Sequence, residues 1–307
     1  MLYFADPKVR RAIKELTIPL ARNCLYQGKS PYAADDEFWT KLNEQHVHTG
    51  NSLFLCTASG QALKGNYFHD WYSAWKRLPE AERKPGAVHI EDRGTLDPKR
   101  ARPQPPNGAL IICVFARGLV RDGAGELAPA KQVVEGMKDF LWLTEREWRS
   151  LVPEHLEKGA THEVPDSIST RIARFHLVEL ILQLPRFWMP EDIRSKNLGL
   201  VVEDVSGQEV RMRLQGTIEL AQKDKERGEI NAHYQLLGYL NYDKNKKLFT
   251  RFDMVAVSDT GRWDKISKKS KPVGFAFELA GDSPADRIPP AGTWLGHKGP
   301  PYLLKGD

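Results

Sequence analysis

Histidines, carboxylates and an arginine set inside apolar runs are the residues of this chain whose placement asks for chemistry. His176, Glu179, His233, Tyr239, Arg251 and Asp253 all interrupt strand-like apolar patterns. A polar group so placed is either hydrogen-bonded within a core or lines a pocket. In Phe249-Thr250-Arg251-Phe252-Asp253, alternation puts Phe249, Arg251 and Asp253 on one face. Arg251 and Asp253 then form a same-face ion pair or hold an anionic ligand group. Tyr239 lies on the strand that pairs with theirs through the turn Asp243–Lys246, and His233 lies near the far end of that strand. Counting back from the turn, Tyr242 opposes a residue near Lys247, and Tyr239 falls beside Thr250 and Arg251. The expectation is one pocket bordered by His233, Tyr239, Arg251 and Asp253 as catalytic or binding groups, with His176 and Glu179 as further members. The rival is a buried hydrogen-bond network that fixes sheet register.

A second cluster has metal-like spacing. His46-Val47-His48 projects two imidazoles to one side of an extended segment, and His69-Asp70 follows. With His69 as third ligand the set would take a divalent metal, given a second shell to orient the rings. Its alternative is a solvated loop, and the sequence names no other cofactor. The three cysteines, Cys24, Cys56 and Cys113, stand far apart and form no CxxC pair. An odd, scattered set suits reduced thiols rather than a disulfide framework. Cys56 and Cys113 sit in apolar strand patterns, whereas Cys24 follows a strand end and is the better place for a reactive thiol. No P-loop, GxGxxG after a strand, HExxH, GxSxG or EF-hand loop is present.

The elements that must position these groups follow from periodicity and punctuation. Asp6-Pro7 opens a helix carrying Val9, Ala12, Ile13 and Leu16, and Thr17–Ala21 reads as a strand. Ser52–Thr57 is a buried strand that turns at Ala58–Gln61 and returns, and Phe68, Tyr72 and Trp75 lie at helical spacing up to Leu78. Residues 87–107 are rich in proline and mixed charge and read as a linker. Beyond it come a strand over Ala109–Val120, a strand at Phe140–Leu143, and a Thr144/Glu147 capping box. A helix starts at Pro165-Asp166. Strands then cover Leu198–Val205, Val210–Leu220, Ile230–Tyr242, Leu248–Val257 and Val273–Leu279, with a bulge or close backbone approach at Gly216. Lys265–Lys271 reads as a basic loop, and the tail from Asp282 as loop.

Residues 1–86 resemble thioredoxin-like proteins, in the portion downstream of the usual active site. The matching pieces are the helix Asp6–Leu16 with strand Thr17–Ala21, and the LFLCTASGQAL hairpin of Leu53–Leu63 followed by Phe68–Leu78. The first strand, the CxxC helix and the cis-proline of that family are not matched here; Gly50-Asn51-Ser52 stands where the proline would be. Segments Ala173–Leu180, Leu236–Val257 and Val273–Ala280 are similar to an uncharacterised domain found beside thioredoxin-like domains in planctomycete-type bacteria. The expected fold is therefore α+β: an incomplete thioredoxin-like α/β domain over 1–86, a linker over 87–107, and a mainly antiparallel β domain with a few helices over 108–307.

Composition narrows the function. The 307 residues are 41% hydrophobic and 28% charged, which excludes a wholly disordered chain. No apolar run approaches the roughly 20 residues of a membrane-spanning helix. A net charge of +5 is no concentrated basic face, so no specific nucleic-acid partner is expected. The opening MLYFADPKVRR has no basic-then-apolar leader, which implies a cytoplasmic protein, or an exported one if a leader lies upstream. Two functions remain. One is a non-redox accessory or binding protein, whose partner is a small-molecule ligand or another protein. The other is a motif-less hydrolase of an ester, lactone or glycosidic substrate, with a metal if the histidine cluster holds one.

Overall fold

Apolar residues alternate most regularly between residues 193 and 279, and five long consecutive strands form there. They are β9 (Ile193–Ser206), β10 (Glu209–Asp224), β11 (Gly228–Asp243), β12 (Leu248–Asp264) and β13 (Lys269–Leu279). In this computed structural model the described residues are 7–16, 37, 40, 44–45, 55–57, 61–63, 68–83, 95, 103–130, 136–181, 184–224, 228–264, 269–291 and 302. The strand expected at Thr17–Ala21, Cys24, the His46–His48 pair and most of the linker lie outside them.

The chain divides into two compact units, Met1–Arg102 and Pro103–Asp307. In the first unit α1 (Pro7–Leu16) begins where Asp6-Pro7 signals a start. A short hairpin follows, β1 (Leu55–Cys56) against β2 (Ala62–Leu63), with Cys56 facing Ala62. The Thr57 N–H donates to the Gln61 carbonyl at 2.8 Å and closes its turn. Next come α2 (Phe68–Lys76), where Tyr72 stacks on Trp75, and α3 (Glu80–Arg83).

The second unit is mostly antiparallel sheet with few helices. Its first strand, β3 (Leu110–Arg121), pairs with the last, β13, so the sheet joins both ends of the unit. Also present are β4 (Leu127–Pro129), β5 (Gly136–Leu143) and β6 (Thr161–Glu163). The strand order is β4-β3-β13-β12-β11-β10-β9-β6, and β5 lies beside β3 on the same side as β4. One face carries the core: Ile112, Val114, Met212, Leu214, Tyr234, Leu240, Phe252, Met254, Phe275 and Phe277 are all buried.

Against that face pack α4 (Glu145–Arg149), α5 (Asp166–Arg171) and a wider π-helical turn, Ile172–His176, that prolongs α5. The spacing of Ile168, Ile172 and Phe175 brings all three inward, as a helix stripe requires. The capping box at Thr144 forms as its spacing demands. Thr144 Oγ1 accepts from the Glu147 N–H at 3.3 Å, and Glu147 Oε2 accepts from the Thr144 N–H at 2.9 Å. The segment after α5 forms a small hairpin, β7 (Glu179–Ile181) with β8 (Leu184–Arg186).

One open alternative is decided and two local expectations change. Gly216 is a close approach and not a bulge: an added Cβ would lie 1.8 Å from the Asn197 carbonyl oxygen, while the register shifts fall at Arg211/Met212 and Glu219/Leu220. Residues Lys269–Lys271 belong to a strand rather than a basic loop, because Lys271 pairs with Arg262. The register beyond the Asp243–Lys246 turn is displaced. Asp243 faces Leu248 and Tyr242 faces Phe249, and then a shift leaves Thr250 without an opposite residue. That extra residue turns Phe249 into the core and leaves Arg251 and Asp253 facing outward, so strict alternation does not hold across 249–253.

Candidate functional site

The outward face of the sheet is built from the alternate residues that the core does not use. The register fixes which of them are neighbours. Leu237 faces Val255, Val255 faces Ala276, and Ala276 faces Phe115, so one row of apolar residues crosses β11, β12, β13 and β3. Leu237, Val255 and Phe115 are 43%, 47% and 37% exposed. The next row along the strands runs Arg213, Tyr239, Asp253, Glu278. Tyr239 is also exposed, with the Arg251 guanidinium 5.8 Å from its ring centroid.

Several of the charges on this face are paired with one another. Arg251 Nε donates to Asp253 Oδ2 at 2.5 Å, and Arg211 Nη2 to Asp204 Oδ2 at 3.1 Å. Arg213 Nε lies 3.0 Å from Glu203 Oε1. On the other side of the row, His233 faces Glu219, with Nδ1 3.3 Å from Oε1.

The six sequence candidates separate accordingly. His233, Tyr239, Arg251 and Asp253 share the outward face. Tyr239, Arg251 and Asp253 meet, with Tyr239 opposite Asp253 rather than Thr250. His233 is six residues from Tyr239 on one strand, roughly 20 Å at about 3.3 Å per residue, so one pocket does not hold all four. His176 is fully buried among the core residues. Glu179 lies in β7, and its side chain is outside the described residues, as is that of His69 in α2. Among the described residues no group of three or more His, Cys, Asp or Glu is arranged to hold a metal. An open depression on the second unit is lined by Val120, Arg121, Asp259, Lys271 and Pro272, none of them a candidate.

His176 instead belongs to a buried polar node. Its Nε2 lies 2.7 Å from Tyr302 Oη, and its Nδ1 lies 3.5 Å from Asp139 Oδ2. Asp139 Oδ1 accepts from the Ala291 N–H at 2.8 Å. Beside it Arg171 grips Glu147 with both guanidinium nitrogens, at 2.6 and 2.5 Å, and also donates to the Trp142 carbonyl at 3.0 Å. Burial pushes the Tyr302 phenol well above its ordinary value, so it stays protonated. The phenol hydroxyl and the imidazole Nε2 share one hydrogen bond in this node.

Sequence reasoning did not find Asp139, Arg171 or Tyr302. Tyr302 stands in a Pro- and Gly-rich tail with no pattern, and Arg171 reads as an ordinary helix residue. The apolar row did leave a signal. Leu236-Leu237 and Met254-Val255-Ala256-Val257 are apolar at successive positions, where a sheet with one wet face should alternate. No protein-family model, no curated protein and no solved structure matches the chain.

Proposed function

We propose that this chain is a non-redox binding protein that engages a protein partner through the outward face of its broad sheet. The observation that carries the reading is the outward-facing row Leu237, Val255, Ala276, Phe115, bordered by Tyr239 and by the Arg251–Asp253 pair. An apolar centre with a polar margin holding Tyr and Arg is the anatomy of a protein interface, whereas small-ligand sites are enclosed. The partner suited to the row is an apolar strip of another protein.

For residues 1–86 we retain the thioredoxin-like reading, as an accessory unit without dithiol chemistry. The hairpin at Cys56 and the helix that follows it support that reading, and the sequence carries no CxxC.

The test is a photo-crosslinking residue at position 255 in the source cell. A discrete protein adduct that disappears in Leu237→Lys/Phe115→Lys is expected. No adduct, or one unaffected by that double variant, would overturn the reading.

One observation favours a hydrolase instead. Glu219 Oε1 lies 3.3 Å from His233 Nδ1 on the exposed face, the arrangement by which a carboxylate orients an imidazole. Turnover of a chromogenic ester or glycoside by the wild type that His233→Ala abolishes would establish that alternative.

A further inference from the structure

The edge of β5 is occupied in an unusual way. Trp142 lies opposite Ile111 in β3, yet both of its backbone groups bond elsewhere. The Trp142 N–H donates to Tyr302 Oη at 3.3 Å, and its carbonyl accepts from Arg171 Nη1 at 3.0 Å. In an antiparallel ladder a residue with both groups turned from its partner offers them to a strand on the other side. Tyr302 and Arg171 therefore stand where the carbonyl and N–H of a neighbouring strand would stand.

Each is held there by a second contact. Tyr302 Oη is 2.7 Å from His176 Nε2, and Arg171 is locked to Glu147. Both are 4% exposed. Residues ahead of Tyr302 in the sequence also reach β5 twice. Asp286 lies 3.4 Å from Lys138 Nζ, and the Ala291 N–H bonds Asp139. By alternation, the backbone groups of Lys138 and Phe140 point to the same edge as those of Trp142.

We propose that the β5 edge is a strand-acceptor site held closed by Tyr302 and Arg171, and that its occupant on withdrawal of Tyr302 is β5 of a second copy of the chain. The strand itself argues for that occupant. GMKDFLWL ends in four apolar, strand-prone residues, the composition that pairs edge to edge when uncovered. Two identical edges paired antiparallel are related by a two-fold axis, so the association closes at two copies.

The test is sedimentation velocity on the full chain. Tyr302→Ala is expected to double the wild-type mass in a concentration-dependent way. Adding Lys138→Pro, which removes an N–H aimed at the edge, is expected to restore the wild-type mass. A folded Tyr302→Ala of unchanged mass would overturn the proposal, as would a dimer indifferent to Lys138→Pro. Should Tyr302→Ala not fold, Tyr302→Phe keeps the ring and removes only the hydroxyl. The Trp142 amide should then exchange with solvent at least tenfold faster, while Leu141 and Leu143, bonded to β3, keep their protection. Unchanged Trp142 exchange would equally overturn the proposal.

Discussion

The side chains of Arg251 and Asp253 are 49% and 47% exposed where they meet. Exposed pairs contribute about 0–1 kcal/mol, so Arg251→Ala should leave the melting temperature within a few degrees of wild type. Calorimetry checks this, and a large loss would mean that the pair is structural. The Arg171–Glu147 pair is the opposite case, since both side chains are almost fully buried. Glu147→Gln leaves a buried guanidinium without its counter-charge and should cost about 3–5 kcal/mol in urea denaturation. The cysteines are governed by burial as well. It pushes the thiols of Cys56 and Cys113 above their ordinary values, which lowers the reactive thiolate fraction. Both should label slowly with a thiol reagent near neutral pH and faster as pH rises. Immediate labelling of either in the folded protein would contradict that burial.

Among the elements, the β9–β10 pair depends on Gly216 and the β11–β12 hairpin on Asp243. At Gly216 any side chain meets the Asn197 backbone, which cannot yield as a flexible side chain can. Gly216→Ala should therefore destabilise by about 1–3 kcal/mol, read from the midpoint of chemical denaturation. Asp243 accepts from the N–H groups of Asn245 and Lys246, each at 2.9 Å. The Lys246 backbone bond is the larger cause that holds its carboxyl below the usual carboxylate value of 3.8. A depressed folded value means that the contribution is present above 3.8 and lost as pH falls through the lowered value. Asp243→Asn should thus reduce the acid sensitivity of unfolding. Tyr302 works in the other direction. Its raised value gives stability that is complete below pH 10 and lost as pH rises further, a component Tyr302→Phe should remove.

At the scale of the whole molecule, the chain separates at Arg102/Pro103 into two units. The second unit has its own core, from Ile112 through Phe277 to Tyr302. Limited proteolysis should cut first between residues 84 and 102, a stretch of mixed charge that precedes the Pro103–Pro106 cluster, and leave a fragment that begins near residue 103. Mass spectrometry of the digest reads the boundary directly. A fragment trimmed back past residue 291 would lose Tyr302 and should be less stable than one that retains it.

The sequence by itself determined the elements whose signals are local. Alternation located β9 to β13, the Thr144/Glu147 spacing located a capping box, and Gly216 marked a bulge or a close approach. These depend on residues within a few positions of one another, so a single segment contains the whole signal. The sequence also placed Arg251 beside Asp253, because two positions apart on a strand is a same-face relation. Tertiary structure decided what depends on register and on distant segments. One extra residue at Thr250 moved Phe249 into the core and set Tyr239 opposite Asp253, and no local pattern announces such a shift. Pairing across four strands, not composition, joined Leu237, Val255, Ala276 and Phe115 into one row. His176 became a core residue because Tyr302, 126 residues away, closes over it. The energy of that contact comes from burial and hydrogen bonds made only after the chain has folded, and it leaves no periodic trace in the sequence.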